Sequence, residues 1–230
     1  MPSSNLRLAA FSLAALAAIL LWDVSGLDLP LARAMGGAEG FPLRDTWILA
    51  TLLHAGARDI AWLVFVALCL QVAWPVGVLR QVPSARRVQI VVSAMIAWAL
   101  VGLMKYRSHT SCPWDLEAFG GVARHLSHWA SWSAADGGPG RCFPAGHATA
   151  GFAFVGGYFA LRRDLPELAA RWLACALAAG ALLGVVQQLR GAHFLSHTLW
   201  TAWLCWVASW ACDPWFAPRE RPAPTVAIRR

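Results

Sequence analysis

The stretch Val88–Met104, VQIVVSAMIAWALVGLM, carries no charged side chain and stops at Lys105. It comes close to the ~20 apolar residues that an α-helix needs to cross a hydrocarbon core. Outward from it, runs of the same character lie near residues 8–22, 60–79, 144–161, 168–186 and 194–211. The pattern predicts an all-α fold, a bundle of six transmembrane helices forming one domain over residues 1–230. The run at 144–161 is short and rich in Gly and Ala, which suits close packing between helices. Composition points the same way. Of 230 residues, 58% are hydrophobic and 13% charged, and mean hydropathy is +0.52, whereas a soluble domain carries about 25% charged residues. These values exclude a disordered chain and a water-soluble fold. The net charge of +7 comes from residues scattered between the apolar runs, so no basic face for nucleic acid is expected.

The positive charges set the expected orientation. With the N-terminus inside, the inside segments hold Arg7, Arg80, Arg86, Arg87, Arg162, Arg163, Arg171 and the arginines of a tail at 213–230. The outside segments balance to zero, so the whole excess of +7 lies inside. Both termini are therefore expected in the cytoplasm. A cleaved signal peptide is a rival reading of 8–22, because Ala32-Arg33-Ala34 has a small-x-small form. That site lies too far beyond the apolar run, which favours an uncleaved helix. Two long outside segments remain, roughly 23–59 and 105–146. The first contains Leu27–Ala32 and Trp47–His54, both read as short amphipathic pieces lying at the interface. The second carries Trp129 and Trp132 as interfacial anchors and ends in the turn Asp136-Gly137-Gly138-Pro139-Gly140.

Of the six cysteines, Cys69, Cys175 and Cys205 fall inside predicted helices and read as small apolar filler. Cys212 ends the last helix. Cys112 and Cys142 both fall in the second outside segment. On an oxidising side of the membrane they are expected to pair, tying the end of the third helix to the start of the fourth. Two free thiols are the alternative.

The seven histidines carry the chemistry. His147 opens the fourth predicted helix, and His193 and His197 open the sixth. Lys105, the only lysine among 19 basic residues, closes the third on the same side. Three helix ends bearing ionisable groups thus meet at one membrane face, where such groups are costly and usually functional. In Cys142–Ala150, CFPAGHATA, a proline and a glycine precede His147. Gly146 lets a ligand approach the backbone, and first-turn N–H groups suit an anion. The imidazole can give a proton to a leaving oxygen. In Arg190–His197, RGAHFLSH, His193 and His197 share one helical face at i and i+4. An imidazole held by a second group, beside a guanidinium that forks onto phosphate oxygens, makes a nucleophile for phosphorus. Rival readings are a metal site at His147, His193 and His197 and a non-enzymatic haem carrier. The first lacks the Glu of a zinc-protease helix. The second expects paired histidines at matching depth on facing helices. A transporter would need a broken helix or a charged midplane residue, and the sequence offers neither. His109, His125 and His128 read as solvated loop residues.

On these residues the sequence resembles the type 2 phosphatidic acid phosphatases, integral membrane relatives of the vanadium haloperoxidases. That family's first motif is Lys, six residues, Arg-Pro, and it falls on Lys105 and Cys112-Pro113. Its second, Pro-Ser-Gly-His, falls on Pro144-Ala145-Gly146-His147. Its third is Ser-Arg, five residues, His, three residues, Asp, and it falls on Val186-Gln187, His193 and His197. Order and spacing agree, and the family's architecture is six helices with an outward-facing site. Cys112 and Gln187 stand where the family has arginines, Ala145 where it has Ser, and His197 where it has Asp. The resemblance implies a membrane phosphatase in which His193 attacks phosphorus and forms a phosphohistidine. His147 then protonates the leaving oxygen, while Lys105, Arg190 and the Gly146 N–H bind the phosphoryl oxygens. His197 takes over the carboxylate's task of orienting the nucleophile, with Asp115 as a second candidate. Arg107, Arg141, His109 and Gln187 are further candidates for phosphate contact. No metal and no cofactor is implied. A site at headgroup depth implies a lipid phosphate, held as a phosphomonoester or a diphosphate: phosphatidic acid, phosphatidylglycerophosphate, undecaprenyl diphosphate or the phosphates of lipid A. Lipid-to-lipid phosphotransfer is the alternative reaction. The expected location is a bacterial inner membrane, with the active site facing the periplasm.

Overall fold

The computed structural model describes residues 2–216, without the side chains of residues 2–4 and of Trp132. Most of the expected cytoplasmic tail, residues 217–230, lies outside the described residues, as does the anchoring role of Trp132. Among the described residues the regular elements are all helical. They are α1 (Pro2–Ser25), α2 (Asp28–Arg33), α3 (Ala57–Ala73), α4 (Ser84–Arg107), α5 (Thr149–Leu161), α6 (Pro166–Leu189) and α7 (Leu195–Phe216). In α5 a 3-10 turn at Ala153–Val155 joins two α-helical pieces. Four segments are long and apolar enough to cross a membrane: Asn5–Ser25, Ile48–Gln81, Ser84–Arg107 and Pro166–Leu189. α5 is apolar but shorter.

The centre of the bundle is α4. Gln89, Ile90, Ser93, Ala94, Ala97 and Val101 recur at spacings of three and four and are buried, so they form one face of a 3.6-residue helix. The small Ser93, Ala94 and Ala97 among them bring α4 close to α7 and α5. α3 lies on α4, α5 packs on α6, and α1 leans on α7. α3 turns most of its apolar surface outward, with Leu63 69% and Trp62 56% exposed. A contiguous apolar surface of this kind needs a non-aqueous neighbour. From Arg86 to Lys105, α4 climbs roughly 28 Å at 1.5 Å per residue, about the thickness of a bilayer core.

The two ends of that climb differ. At the Arg86 end, the buried Asp213 of α7 accepts hydrogen bonds from Arg86 (3.1 Å) and Gln89 (3.1 Å) of α4 and from Arg162 and Arg163 (2.8 Å each) just past α5. At the Lys105 end, α2 and residues 108–148 form a cap over a small core of Ala32, Phe41, Leu116, Phe119, Ala123 and Phe194. The cap is pinned by polar groups. Buried Asp136 accepts from Ser111 N (2.6 Å) and Oγ (2.8 Å). Asp28 of α2 accepts from Ser196 N (3.1 Å), seating a carboxylate on the N-terminal turn of α7, where the helix dipole favours it.

Several boundaries differ from the sequence reading. Trp47–His54 is not a separate interfacial piece: Ile48–Gly56 is a π-helical stretch that runs directly into α3. The helix expected over 60–79 stops at Ala73, because Pro75 lacks an N–H and bars Trp74 from helical geometry (φ −121°, ψ 73°). A 3-10 turn, Gly77–Gln81, follows. The helix expected from 144 begins at Thr149, since Ala145 N donates to His197 O (3.2 Å) and holds the preceding chain in a turn against α7. The last helix continues past 211 to Phe216. The tail therefore does not begin at 213, where Asp213 is tied into the bundle.

Candidate active site

Lys105 stands in the last turn of α4, and its side chain lies over Gly146: a Cβ on Gly146 would stand 3.3 Å from Lys105 Cδ. The missing side chain leaves the backbone beside Lys105 open. His147 follows in the same turn and is half-buried. Its Nε2 lies 2.9 Å from the His54 carbonyl, so Nε2–H donates there and Nδ1 is left to exchange a proton with a ligand. The His54 ring also stacks on the His147 ring, with centroids 3.6 Å apart and planes 7° from parallel.

His193 sits in the link between α6 and α7 and is buried. The link is fixed by its backbone. Gly191 adopts φ +73°, and its Cα faces the Phe41 ring so closely that a side chain would collide. Gly191 O accepts from Trp114 N (2.9 Å), and Ala192 N donates to Gln187 O (2.8 Å). His193 Nδ1 lies 3.5 Å from His197 Nδ1 and 3.5 Å from Cys142 Sγ. Cys142 is bonded to Cys112 in a disulfide, so that sulfur carries no proton. With its proton on Nδ1, His193 can share it with His197 Nδ1, the stronger of the two acceptors, and Nε2 on the opposite ring edge is then left with a lone pair.

The disulfide spans 30 residues of sequence, and closing a loop of that size stabilises a fold by roughly 3–4 kcal/mol in the chain-entropy picture. Cys112→Ser/Cys142→Ser is accordingly expected to lower the thermal midpoint in detergent, and reductant is expected to do the same to the native protein. A midpoint insensitive to both would remove the brace from this account. Digestion without reductant is expected to yield the linked peptides.

His128 is not solvated, contrary to the sequence reading. It is buried, stacks on Phe143 (centroids 4.1 Å) and meets the His197 ring edge-on at 5.9 Å. Its Nε2 lies 3.3 Å from Asp23 Oδ2 of α1, which also accepts from Trp129 and Trp200. The burial follows from aromatic packing across α1, the cap and α7, which no local pattern announces.

Arg190 is buried. Its Nε donates to Arg44 O (2.8 Å) and its Nη1 to Gln187 Oε1 (3.3 Å). Its charge reaches His147, as do those of Lys105 and Arg58. The structure does not bring the other candidates to this cluster. Asp115 Oδ2 accepts from Cys112 N (3.3 Å) and caps a 3-10 turn; burial pushes its carboxyl upward. His109 Nδ1 faces Ser131 O (3.1 Å). Arg141 stacks over Tyr106 (4.9 Å), and Arg107 is exposed. Sequence reasoning missed His54 and Arg58. Both lie in an apolar stretch with no motif around them.

Burial, joined by the charges of Lys105 and His147, holds His193 well below the usual imidazole range. It is neutral near pH 7, with a ring nitrogen lone pair available. Burial also lowers His147, reinforced by Arg190, Arg58 and Lys105 and opposed by the bond to His54 O. A cavity of about 270 Å³ lies beside it, lined by Arg58, Trp62, Trp98, Gly146, His147 and Thr149 among others. It shares Ala61 and Ala150 with an apolar cavity of about 550 Å³ between α3 and α6. Cys142, His193 and His197 bring one donor atom each within 4.8 Å. Because the sulfur is committed to a disulfide, this set offers two imidazoles, short of the ligands zinc takes, and His147 lies outside it. The residues do not fit a metal centre.

A family model described as the PAP2 superfamily matches residues 86–221. Neither a curated protein nor a solved structure matches the chain.

Proposed function

The chain belongs to the PAP2 superfamily, phosphatases of phosphate esters, and from that premise we propose that it hydrolyses a phosphomonoester or diphosphate of an amphiphilic lipid through a phosphohistidine. The observation that carries the lipid reading is the junction of two cavities. The pocket at Arg58 and His147 adjoins a larger apolar one of twice its volume, a shape suited to a charged headgroup with an acyl or prenyl chain.

In the first step His193 Nε2 bonds to phosphorus as the bond to the leaving oxygen breaks, and His147 gives that oxygen its proton. Lys105, Arg190 and the Gly146 N–H face the charge spread over the phosphoryl oxygens. His197 holds the His193 ring through Nδ1. In the second step water gives a proton to His147 and its oxygen to phosphorus, and the P–N bond breaks to release phosphate.

The membrane placement extends the same reading. The domain comprises the whole of 1–230, with six spans: α1, the Ile48–Gln81 segment, α4, α5, α6 and α7. Both termini are cytoplasmic and the histidine cluster faces the periplasm of a bacterial inner membrane. Two features support this: Arg80, Arg86, Arg87, Arg162, Arg163 and Arg171 sit in or beside the short connections at the end of α4 opposite Lys105, and the disulfide lies at the Lys105 end, as an oxidising compartment favours.

Purified protein in detergent is expected to release inorganic phosphate from at least one of phosphatidic acid, phosphatidylglycerophosphate, undecaprenyl diphosphate and lipid A phosphates. Absence of release across that panel would overturn the reading. The pH dependence has a definite sign. Activity needs His193 neutral and His147 protonated, and both titrate below the ordinary 6.5, His193 the further. kcat/KM, which reports the free enzyme, is expected to rise through the His193 value, fall through the His147 value, and peak on the acid side of 6.5. A peak on the alkaline side would remove His147 as the acid.

A further inference from the structure

We propose that His54, from outside the segment matched by the family model, binds a phosphoryl oxygen and, together with Gln187, replaces donors that the family draws from arginine. The inference rests on the phosphatase reading above. His54 lies in the π-helical stretch Ile48–Gly56; π turns inside helices are frequent at functional sites. Its ring covers His147 face to face at 3.6 Å, so it borders the atoms that handle the leaving group. His54 Nδ1 and Gln187 Nε2 are buried without a hydrogen-bond partner among the described residues. The Gln187 side chain lies close enough to the His54 ring to act on it, while His54 Nδ1 and Gln187 Nε2 stay outside hydrogen-bond geometry. Gln187 is 2% exposed, and its Oε1 is occupied by Arg190, so its N–H groups are left for something else. Buried donors are rarely left unmade in a native fold, because each orphan costs the full desolvation of the group. An oxyanion between them satisfies both.

The surroundings suit an anion. Lys105 is a cation whose charge reaches the buried His193, and Arg190 and Arg58 act on His54 and His147. Gln187 stands at the position of a motif arginine in the resemblance. A neutral amide there gives up one charge, and His54, supplied by a different helix, restores a hydrogen-bond donor. The group thus bound is a phosphoryl oxygen of the substrate or of free phosphate.

The test compares His54→Phe, which keeps a flat ring over His147 and loses the N–H, with His54→Asn, which returns a donor near the Nδ1 position. Inorganic phosphate and vanadate serve as probes, read both as inhibition constants and as thermal stabilisation of the full-length protein in detergent. His54→Phe is expected to weaken both probes by roughly tenfold to a hundredfold, the range for one hydrogen bond to a charged group, and His54→Asn to recover part of that loss. Wild-type affinity for phosphate in His54→Phe, with a loss only in His54→Ala, would overturn the proposal and leave His54 a packing residue. A wild-type protein that neither binds phosphate nor turns over lipid phosphate would instead refute the phosphatase reading itself, so the two failures are distinct.

Discussion

Replacing His193 by alanine is expected to abolish phosphate release, with kcat falling on the order of 10⁴-fold or more, as in other enzymes that lose a covalent nucleophile. The argument begins with placement. His193 is the imidazole whose Nδ1 edge is engaged by His197 and the Cys142 sulfur, while Lys105 and His147 act on the same ring. No second imidazole is so held, so none can substitute. The substitution leaves a small cavity at the cap and removes no buried charge, because His193 is neutral in its buried setting. The variant is therefore expected to stay folded, with a thermal midpoint close to that of the native protein. Acid-quenched turnover of a labelled substrate is expected to trap phosphoenzyme in the native protein and none in His193→Ala. Native-like turnover by a folded His193→Ala protein would remove the covalent mechanism.

The second large effect lies at the other end of the bundle. Asp213→Ala is expected to destabilise the protein by roughly 3–5 kcal/mol, the cost of stripping the counter-charge from a buried ion pair. Three guanidiniums converge on this carboxylate, and their side chains are 4%, 11% and 33% exposed for Arg86, Arg162 and Arg163. Arg163 is solvated enough to recover much of its hydration. Arg86 and Arg162 are not, and the repulsion between them is then unopposed. The cluster ties α4, α7 and the turn after α5 together, so the penalty falls on the packing of the whole bundle. A fall in thermal midpoint on the order of 10 °C is expected for a chain of this length. The kinetic constants of the surviving folded protein are expected to be unchanged, since Lys105 stands roughly 28 Å along α4 from Arg86. An unchanged midpoint would show that desolvation of the three arginines cancels the attraction.

Much of the architecture was legible in the chain because it is written locally. An apolar run ending at Lys105 makes a helix whatever lies around it, and Pro75 ends one by lacking an N–H. Lys105, Gly146, His147 and His193 stand at helix ends in short motifs, so spacing alone grouped them, and the structure brings all four into one cluster. His54 carried no such signal. It sits in an apolar stretch that reads as interfacial, and only the stacking of α3 beside α5 sets its ring on His147. His128 and Asp23 are 105 residues apart in the sequence and meet because α1 leans on α7 beneath the cap. Asp115 shows the reverse error: a carboxylate close to a motif in sequence is spent on its own turn.

The sequence by itself determined an all-α chain with apolar helices, its family, the motif residues and a charge imbalance gathered in particular segments. Each of these depends on neighbours a few residues away, through helical periodicity, turn sterics and side-chain type. The tertiary structure alone decided which acceptor faces His193 Nδ1, that His128 is buried against His197, that His54 covers His147, and that Asp213 gathers three arginines. These depend on which helix faces are pressed together, and that choice is made by the packing of the whole bundle, where shape and desolvation outweigh any local preference.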